Sequence, residues 1–405
     1  MYKFFFVFVF FTALYIKPTY SNNDTLNISA STTITSKSVL GFNNNLKSGN
    51  KRNANLNLGY SKYDLTSQLS VNYNEHNKFN FDDSYANYRM GIANFNIGKI
   101  ERNWSFSEKS SLILSSNARP FTAFSLSLKN NFKFDWLPST ASWSIEVING
   151  STKNTYNNKN SMLFGARTII NPTDKLSFEI LQTSQWGGEG RELDGSLIRG
   201  ILFGDTNSGI NAEINKMAGF GLSYLIPINE SIVRIYGQAI GEDEAGSLPS
   251  CYSWMAGFEL STPKIKVPTT LTFELIDTRV DMSTNGYCGP NTMYNNAYYK
   301  YTNYNTVLGV PIDTESTSLE LFGQSKLNRN LTINYSTRLV TINDNSYSSH
   351  RLSTKRSTGS ITSLGLSWEK GMFDVGGNIS YQNLYLDKSD ISNGTQFGLF
   401  TSVKF

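Results

Sequence analysis

The chain has 405 residues and a mass of 45.4 kDa, and its formal charge is only +4. This balance is too close to neutral for a protein that grips nucleic acid, and a mean hydropathy of −0.32 excludes a helical membrane protein. Charged residues make up 17% of the chain, against roughly 25% in an ordinary soluble domain. Aromatic residues reach 13%, and 31 glycines accompany abundant Asn, Ser and Thr, which favours an all-β chain with many turns.

The first 21 residues have the features of a secretory signal peptide. Lys3 supplies the positive start, residues 4–16 form an apolar run, and Thr19 and Ser21 are small residues at the −3 and −1 positions of a cleavage site. The apolar run is short for a membrane helix, which needs about 20 residues. We therefore expect an exported protein with two regions, a signal peptide at 1–21 and an outer-membrane β-barrel at 22–405.

From Thr25 onward, hydrophobicity alternates with a period of two residues, which indicates β-strands. Phe220, Leu222 and Tyr224, for example, alternate with glycine and serine. Segments of about ten residues with one apolar and one polar face are typical of outer-membrane barrels. Eighteen such strands are predicted, at 25–36, 54–63, 66–75, 84–92, 94–102, 119–129, 141–149, 160–170, 175–186, 217–226, 231–240, 253–262, 269–279, 317–326, 330–342, 360–370, 372–386 and 395–405.

The connections between these strands alternate in length. One set is short, with 130–140 as its longest member, and the other includes the long loops 37–53, 103–118, 187–216, 280–316 and 343–359. Outer-membrane barrels have short periplasmic turns and long extracellular loops. The sequence therefore predicts an all-β fold, a single antiparallel transmembrane β-barrel of 18 strands with both chain ends on the periplasmic side.

The polar faces of the predicted strands carry charges that the apolar faces lack. These charges belong to Arg167, Glu179, Arg234, Glu259, Glu274, Glu320 and Arg338. Arg167 and Glu179 lie on neighbouring strands, as do Glu320 and Arg338, so we expect each pair to interact across the wall. Such residues either hold the shape of the barrel or line a path for a glycan or an ion.

The sequence contains few residues of the types that catalytic and metal sites require. The two histidines, His76 and His350, fall in or beside separate outer loops, and a hydrolytic triad or a transition-metal site needs more such groups close together. We expect neither catalysis nor a cofactor or metal. Cys251 and Cys288 flank the hairpin 253–279 on its outer side, and because export permits disulfides, we expect a bond between them.

Three outer loops combine side chains of distinctive chemistry. Residues 185–191 place a tryptophan and both charges among glycines. Residues 242–244 are consecutive carboxylates, which could bind Ca²⁺, pair with basic lumen residues such as Arg234, or form a solvated loop. Residues 294–304 hold five tyrosines, which suit sugar rings or an aromatic girdle at the membrane interface.

Five distinctive stretches follow one another along the chain. They read GKIERNW at 98–104, SSLILSSNARPF at 110–121, QWGGEGR at 185–191, IYGQAIGEDE at 235–244 and FELIDT at 273–278. In this order they resemble the outer-membrane capsule-assembly family called Wzi. The resemblance implies an 18-stranded barrel that acts as a lectin and holds exported capsular polysaccharide at the cell surface. Two features of the family differ here: residues 103–108 have one Trp and no Gly or Pro, and residues 22–92 read as strands instead of a helical periplasmic segment.

We expect glycan binding on the outer face, built from the loops at 103–118, 187–216, 241–252 and 280–316. The expected glycan contacts are Trp104 and Trp186 as stacking platforms, with Asn117, Arg119, Glu189 and Arg191 as hydrogen-bond partners. Arg119 and Arg191 could pair with the carboxylates of an acidic glycan; alternatively, these polar residues are internal braces of the loops. A role in loop architecture is expected for Gln238, Glu242, Asp243, Glu244 and Asp277.

The function that these features favour is that of a non-enzymatic lectin for capsular or exopolysaccharide in the bacterial outer membrane. Its expected partners are the polysaccharide, outer-membrane lipid and lipopolysaccharide, and the barrel-assembly machinery acting on the C-terminal strand that ends in Phe405; no nucleic acid is expected. An 18-stranded barrel can also enclose a water-filled lumen, so a diffusion channel for oligosaccharides or other polar solutes is the alternative. An outer-membrane hydrolase is a third hypothesis. Inward folding of the loops 187–216 and 280–316 would favour the lectin over the channel.

Overall fold

The computed structural model describes residues 24–37, 40, 52–74, 78–133, 140–153, 160–188, 197–203, 214–245, 248–283, 288–296, 298–389, 391 and 393–405. These residues form 21 β-strands and one short α-helix. The expected signal peptide at 1–21 lies outside the described residues. In the described part of the chain, no helix is long and apolar enough to span a membrane.

The strands alternate with turns and loops along the whole described chain. They are β1 (Asp24–Thr35), β2 (Arg52–Lys62), β3 (Leu65–Asn74), β4 (Lys78–Asn80), β5 (Tyr85–Met90), β6 (Ala93–Lys99), β7 (Thr122–Phe132), β8 (Ala141–Thr152), β9 (Ser161–Asn171), β10 (Leu176–Trp186), β11 (Asn215–Ile228), β12 (Ser231–Ala245), β13 (Leu248–Thr262), β14 (Thr269–Asp277), β15 (Thr302–Asn303), β16 (Thr306–Val307), β17 (Thr317–Lys326), β18 (Leu331–Ile342), β19 (Ser357–Lys370), β20 (Phe373–Asn383) and β21 (Gly394–Lys404). The helix α1 (Leu197–Phe203) lies between β10 and β11.

The strands close into a barrel because β1 pairs with both β2 and β21, antiparallel in each case. β4 pairs only with the outer end of β3, and β15 and β16 form a separate small hairpin. The other 18 strands are the staves of the barrel, each hydrogen-bonded to two neighbours. The predicted all-β barrel of 18 strands is therefore confirmed, with β12 and β13 extending beyond their predicted outer ends.

Tight turns at one end of the barrel fix the register of the staves. Four two-residue turns begin with a residue at positive φ: Tyr63, Gly91, Asn229 and Gly371. A positive φ at the start of a two-residue connection matches the twist of a hairpin, and glycine and asparagine adopt it at low cost. This short-turn end is the periplasmic end of an outer-membrane barrel.

The outer surface of the wall carries the apolar side chains. On β11, Phe220, Leu222 and Tyr224 are exposed, whereas Gly219 and Gly221 between them face inward. The same alternation recurs around the barrel, which leaves an apolar belt for lipid. Tyr252 and Trp254 lie side by side near the outer end of β13, with ring centroids 5.6 Å apart.

The lumen is filled in its outer half and more open in its periplasmic half. On β18, the inward-facing side chains from Arg338 to the outer end are buried, whereas Ser336 and Asn334, nearer the short turns, are partly exposed. On β17, Glu320 is buried and the inward-facing Gln324 is exposed. The filling consists of two connections, which we call the inward segment (residues 100–121, between β6 and β7) and the cap loop (residues 278–316, between β14 and β17).

Candidate functional site

The inward segment departs from the sequence prediction. Residues 103–118, expected on the outer face, fold instead into the lumen, where Leu112, Ile113 and Leu114 join a core with wall side chains such as Leu181 and Ile240. An apolar run of this kind gains stability by leaving water. The closed outer half of the barrel is therefore a hydrophobic core made by a loop and its surrounding wall.

Ion pairs on the wall hold the inward segment by its backbone. Arg167 pairs with Glu179 at 2.5 Å and also donates to the carbonyl oxygen of Ser105 at 3.1 Å. Arg234 pairs with Glu259 at 2.5 Å and donates to the carbonyl oxygen of Phe106. Guanidinium groups can serve a carboxylate and a carbonyl together because they carry five donors. These lumen charges therefore anchor the inward segment.

The predicted pairing of lumen charges on neighbouring strands is confirmed for both pairs. Besides Arg167 and Glu179, Arg338 on β18 binds Glu320 on β17 at 2.5 Å. Lys109, at the tip of the inward segment, lies 3.7 Å from the same Glu320 and 3.9 Å from the ring centre of Phe322. The charged lining thus continues from the wall into the segment that crosses the lumen.

The cap loop lies on the outer side of the inward segment and is braced by its tyrosines. Tyr294 and Tyr301 are fully buried with their rings stacked 5.9 Å apart, and the Tyr294 hydroxyl donates to the carbonyl oxygen of Leu112 at 2.7 Å. Burial raises the pKa of both hydroxyl groups, so both stay neutral. Tyr299 donates to the Gly187 carbonyl oxygen at 3.0 Å. Three of the five tyrosines in this run are therefore internal braces.

The remaining tyrosines and nearby cations form a surface at the rim, which we call the outer patch (Arg119, Lys153, Tyr298, Lys300 and Tyr304). The Arg119 guanidinium lies 4.2 Å from the centre of the Tyr304 ring, and the Lys153 ammonium lies 5.8 Å from it. Tyr298 is 48% exposed. This arrangement offers an aromatic face and cationic groups on the outside of a closed barrel.

The cations of the outer patch differ in their surroundings. Arg119 binds Asp82 through two bonds of 2.6 and 3.0 Å, so its charge is already matched. Lys153 is exposed at the end of β8. Burial and the neighbouring Arg351 lower the pKa of Lys300 from its ordinary value. Sequence analysis missed both lysines because the meeting of Lys153 with Tyr304, and the position of Lys300 beside Arg351, depend on how the cap loop folds.

Trp104 and Asn117, expected to contact glycan, lie inside the filling. Trp104 is only 2% exposed, its Nε1 donates to Glu146 at 3.1 Å, and its ring packs over Gly165, where a Cβ would sit 2.9 Å away. Asn117 is buried and donates to the carbonyl oxygen of Val307 at 2.9 Å. Both residues are internal braces in this structure, which corrects their expected places on the outer face.

Trp186 is also placed differently from the expectation. It belongs to the outward-facing phase of β10 and packs beneath α1, against Leu197 and Ile201. Trp186 pairs with Met162 on β9 and points to the same side of β10 as the exposed Ile180. It therefore lies on the lipid side of the wall and not at the outer mouth of the barrel. The other two predicted contacts of this loop, Glu189 and Arg191, lie outside the described residues.

The residues expected to support loop architecture make such contacts where they are described. Gln238 bonds to the backbone of the inward segment. Glu242 accepts the backbone N–H of Tyr294 at 2.8 Å, and Asp277 binds Arg279 at 2.7 Å. The side chains of Asp243 and Glu244 lie outside the described residues. Among the described residues, no group of three or more His, Cys, Asp or Glu side chains is arranged to hold a metal.

The two cysteines are joined in a disulfide. Cys251 on β13 and Cys288 in the cap loop have their Cα atoms 5.2 Å apart, at a sequence separation of 37 residues. The bond ties the cap loop to the inner face of the wall, next to the buried Val280. His76 lies outside the described residues, while His350 is buried against the carbonyl oxygen of Thr314.

Comparison with known proteins agrees with this architecture. The family model of the capsule assembly protein Wzi matches residues 21–396. Wzi from Escherichia coli, an outer membrane protein involved in group 1 capsule assembly and a carbohydrate-binding β-barrel, superposes with a TM-score of 0.75 at 22% identity, covering 93% of this chain and 84% of that one. The outer membrane protein OprD from Pseudomonas aeruginosa superposes with a TM-score of 0.55 at 11% identity, covering 95% and 94% of the two chains.

A curated relative gives a partial match. An uncharacterized 55.8 kDa protein in the cps region of Klebsiella pneumoniae is 29% identical over 211 residues, which are 51% of this chain and 42% of that protein. The match therefore spans less than half the length of the relative. The family model, in contrast, covers nearly the whole chain. The chain belongs to the capsule assembly protein Wzi family, and its fold is the outer-membrane β-barrel of that family.

Proposed function

We propose that this protein is an outer-membrane lectin that attaches exported capsular or exopolysaccharide to the cell surface through its outer patch. The observation that carries the proposal is the exposure of aromatic and cationic groups at the rim of a barrel whose outer half is filled. The carbohydrate-binding β-barrel from E. coli has the same fold and family, which supports it.

The outer patch has the chemistry that an acidic polysaccharide requires. Tyr304 and Tyr298 present aromatic rings with polar tips, which suit the apolar faces and hydroxyls of sugar rings. Lys153 and Lys300 supply ammonium groups for sugar carboxylates, while Arg119, held by Asp82, fixes the Tyr304 ring from one side. Glu189 and Arg191 remain proposed glycan contacts. Because the ammonium groups are near the surface, binding should weaken as salt rises.

A diffusion channel is the competing function, and the filled outer half argues against it. The inward segment and the cap loop share one buried core with the wall, so a solute would have to displace packed side chains. The likeness to OprD is one of fold. We further propose that the protein is not an enzyme, since its one described histidine is occupied in loop packing.

The proposed partners follow from the surfaces of the barrel. The apolar belt contacts outer-membrane lipid and lipopolysaccharide, and the barrel-assembly machinery inserts the strands. The outer patch contacts the polysaccharide.

The test is a set of single substitutions in the outer patch. Tyr304→Ala, Lys153→Ala and Lys300→Ala should each shift polysaccharide from the cell-attached to the released fraction, after heat-modifiable migration has shown normal barrel assembly. Lys355→Ala is the matched control, since Lys355 is an exposed lysine in the loop between β18 and β19 and is not a member of the outer patch. Full cell attachment in all three assembled variants would contradict the proposed site.

A further inference from the structure

A cavity of about 520 Å³ lies inside the barrel, beneath the first residues of the inward segment. We call it the vestibule, and its lining includes Thr66, Asn87, Asn96, Arg102, Glu146 and Arg167. Thr66 is the second residue of β3, directly after a short turn. The vestibule therefore lies on the periplasmic side of the filling, where the inward-facing wall is partly exposed, and it is separated from the outer patch by the packed core.

Glu101 and Glu146 are the two carboxylates of the vestibule lining, and Glu146 is held in a fixed position. One carboxylate oxygen of Glu146 accepts Nε1–H of Trp104 at 3.1 Å, and the other accepts Nε–H of Arg102 at 3.4 Å. The side chain of Glu146 nevertheless stays 30% exposed. Since a carboxylate has about four acceptor sites, Glu146 keeps acceptor capacity toward the cavity while its geometry is set by the protein.

Two amides line the same stretch of wall, on strands two and three positions away from the β8 strand of Glu146. Asn87 on β5 and Asn96 on β6 are hydrogen-bonded to each other and face the lumen side by side. An amide carries two donors and an acceptor, so this single bond leaves donors and an acceptor for a ligand. Thr66 adds a hydroxyl. The vestibule thus offers paired donors and acceptors, which is the pattern that hydroxyl groups of a sugar match, because each hydroxyl both donates and accepts.

The guanidinium groups of the vestibule are already matched within the protein. Arg102 is held by Glu146, and Arg167 is held by the buried Glu179 at 2.5 Å. An anion would have to compete with these carboxylates for the guanidinium groups. The site therefore favours an uncharged, hydroxyl-rich molecule, in contrast to the outer patch with its lysines.

We infer that the vestibule is a second binding site, which takes an uncharged saccharide from the periplasm. Its volume falls within the range of ligand sites in proteins, about 300–1,000 Å³, and its polar groups are preorganised before a ligand arrives. This site goes beyond attachment of polysaccharide at the outer face and does not depend on it.

The affinity test uses the full chain in detergent with maltotriose as the neutral probe and trigalacturonate as the acidic one. Saturable binding of maltotriose, measured by saturation-transfer NMR, should weaken at least tenfold in Asn96→Leu and in Asn87→Leu. Asn334→Leu is the matched control, an inward-facing asparagine on the far wall, and should bind as the wild type does. The inference is overturned if the wild type shows no saturable binding of maltotriose, or if Asn96→Leu binds it equally well. If trigalacturonate binds as tightly as maltotriose, the preference for an uncharged saccharide is overturned.

A labelling experiment tests the side of access. In Asn96→Cys, a membrane-impermeant maleimide should react only after the outer membrane has been permeabilised, and maltotriose should slow that reaction. Lys153→Cys, at the outer patch, should react in intact cells. Labelling of Asn96→Cys in intact cells, or labelling unaffected by maltotriose, would overturn periplasmic binding without bearing on the outer patch.

Discussion

Gln238 and Trp104 are joined by a 2.6 Å hydrogen bond, in which Nε2 of the β12 side chain donates to the tryptophan carbonyl oxygen. The Oε1 atom of the same side chain accepts the backbone N–H of Leu112 at 2.8 Å, and Nε2 also donates to Glu179 at 2.9 Å. One wall residue therefore holds both arms of the inward segment and one member of an ion pair. Gln238 is the fixed point about which the segment folds.

Removing this fixed point should loosen the filling of the lumen. Gln238→Leu keeps a similar volume but removes three buried hydrogen bonds, at a cost of about 1–3 kcal/mol for each group left unsatisfied. The Trp104 carbonyl oxygen keeps the Ser111 hydroxyl as a donor, so the loss falls on the Leu112 N–H and the Glu179 carboxylate. We expect the wild type to show little conductance in planar bilayers and Gln238→Leu to show frequent channel openings.

The control for this measurement is Gln324→Leu, which changes another inward-facing glutamine in the open half of the lumen. It should conduct as the wild type does. Steady porin-like conductance of the wild-type protein would contradict the filled lumen and would favour the function of a diffusion channel.

Substitutions of Trp104 distinguish a residue that braces the filling from one that stacks on the glycan. Trp104→Ala should cost about 3–5 kcal/mol of stability, as expected for loss of a large buried aromatic side chain, and any loss of polysaccharide attachment should accompany lower heat resistance. Trp104→Phe keeps most of the packing and removes only the donor to Glu146. It should retain polysaccharide attachment. Loss of attachment in a Trp104→Phe protein of unchanged heat resistance would restore a direct glycan contact.

The strands could be predicted because their signal is local. The alternation of Phe220, Leu222 and Tyr224 with glycine and serine is visible in ten residues, and the pairing of Arg167 with Glu179 follows from neighbouring strands with a short turn. The alternation along β10 also predicts the position of Trp186, because this residue shares the outward phase of Ile180.

The site was harder to predict because its contacts are distant in sequence. Arg119 meets Asp82, which is 37 residues away, and Asn117 meets the cap loop across 190 residues. Alternation of polarity does not specify whether a long loop turns outward or inward. The apolar run from Leu112 to Leu114, in an otherwise polar loop, is the one local feature that indicates burial.

The disulfide should stabilise the cap loop more than the barrel. Cys251→Ser with Cys288→Ser removes a link whose 37-residue separation corresponds to roughly 3–4 kcal/mol in the chain-entropy model; the measured value should be smaller, because the strand ladder already restrains the loop ends. We expect a double variant that assembles normally but whose cap loop is cleaved faster by protease. Mass spectrometry of an unreduced wild-type digest should show the two cysteines linked, and complete alkylation without reductant would contradict the bond.

The last prediction concerns acid sensitivity near His350. The ring donates from Nε2 to the Thr314 carbonyl oxygen at 3.0 Å, and Nδ1 accepts the backbone N–H groups of Leu352 at 3.1 Å and Ser353 at 3.4 Å. Two N–H groups pointing at Nδ1 leave no place for a second ring proton. Burial also lowers the pKa of His350 from its ordinary value, against the attraction of Asp313.

A histidine with a lowered pKa stabilises the fold in its neutral form, so this stabilisation is complete above the unfolded-state value of about 6.5 and is lost as the pH falls below it. Asp313 does not interfere in that window. Burial alone would raise its pKa, but Arg351 and His350 outweigh burial and hold it below the ordinary value of a carboxyl group. The contribution of Asp313 is therefore lost only at much lower pH. Acidification from pH 7.5 to 5.5 should thus loosen residues 350–353 while leaving the neighbouring stave β18 intact.

Hydrogen exchange read by mass spectrometry checks this prediction directly. After correction for the intrinsic pH dependence of exchange, the peptide containing Leu352 and Ser353 should lose protection at pH 5.5 in the wild type, and peptides from β18 should not. His350→Gln carries no titrating ring, so its protection in the same peptide should be lower at pH 7.5 but independent of pH across this range. Equal corrected protection of the wild-type peptide at both pH values would show that His350 is not the acid-sensitive group, because protonation of its ring must break the bonds to Leu352 and Ser353.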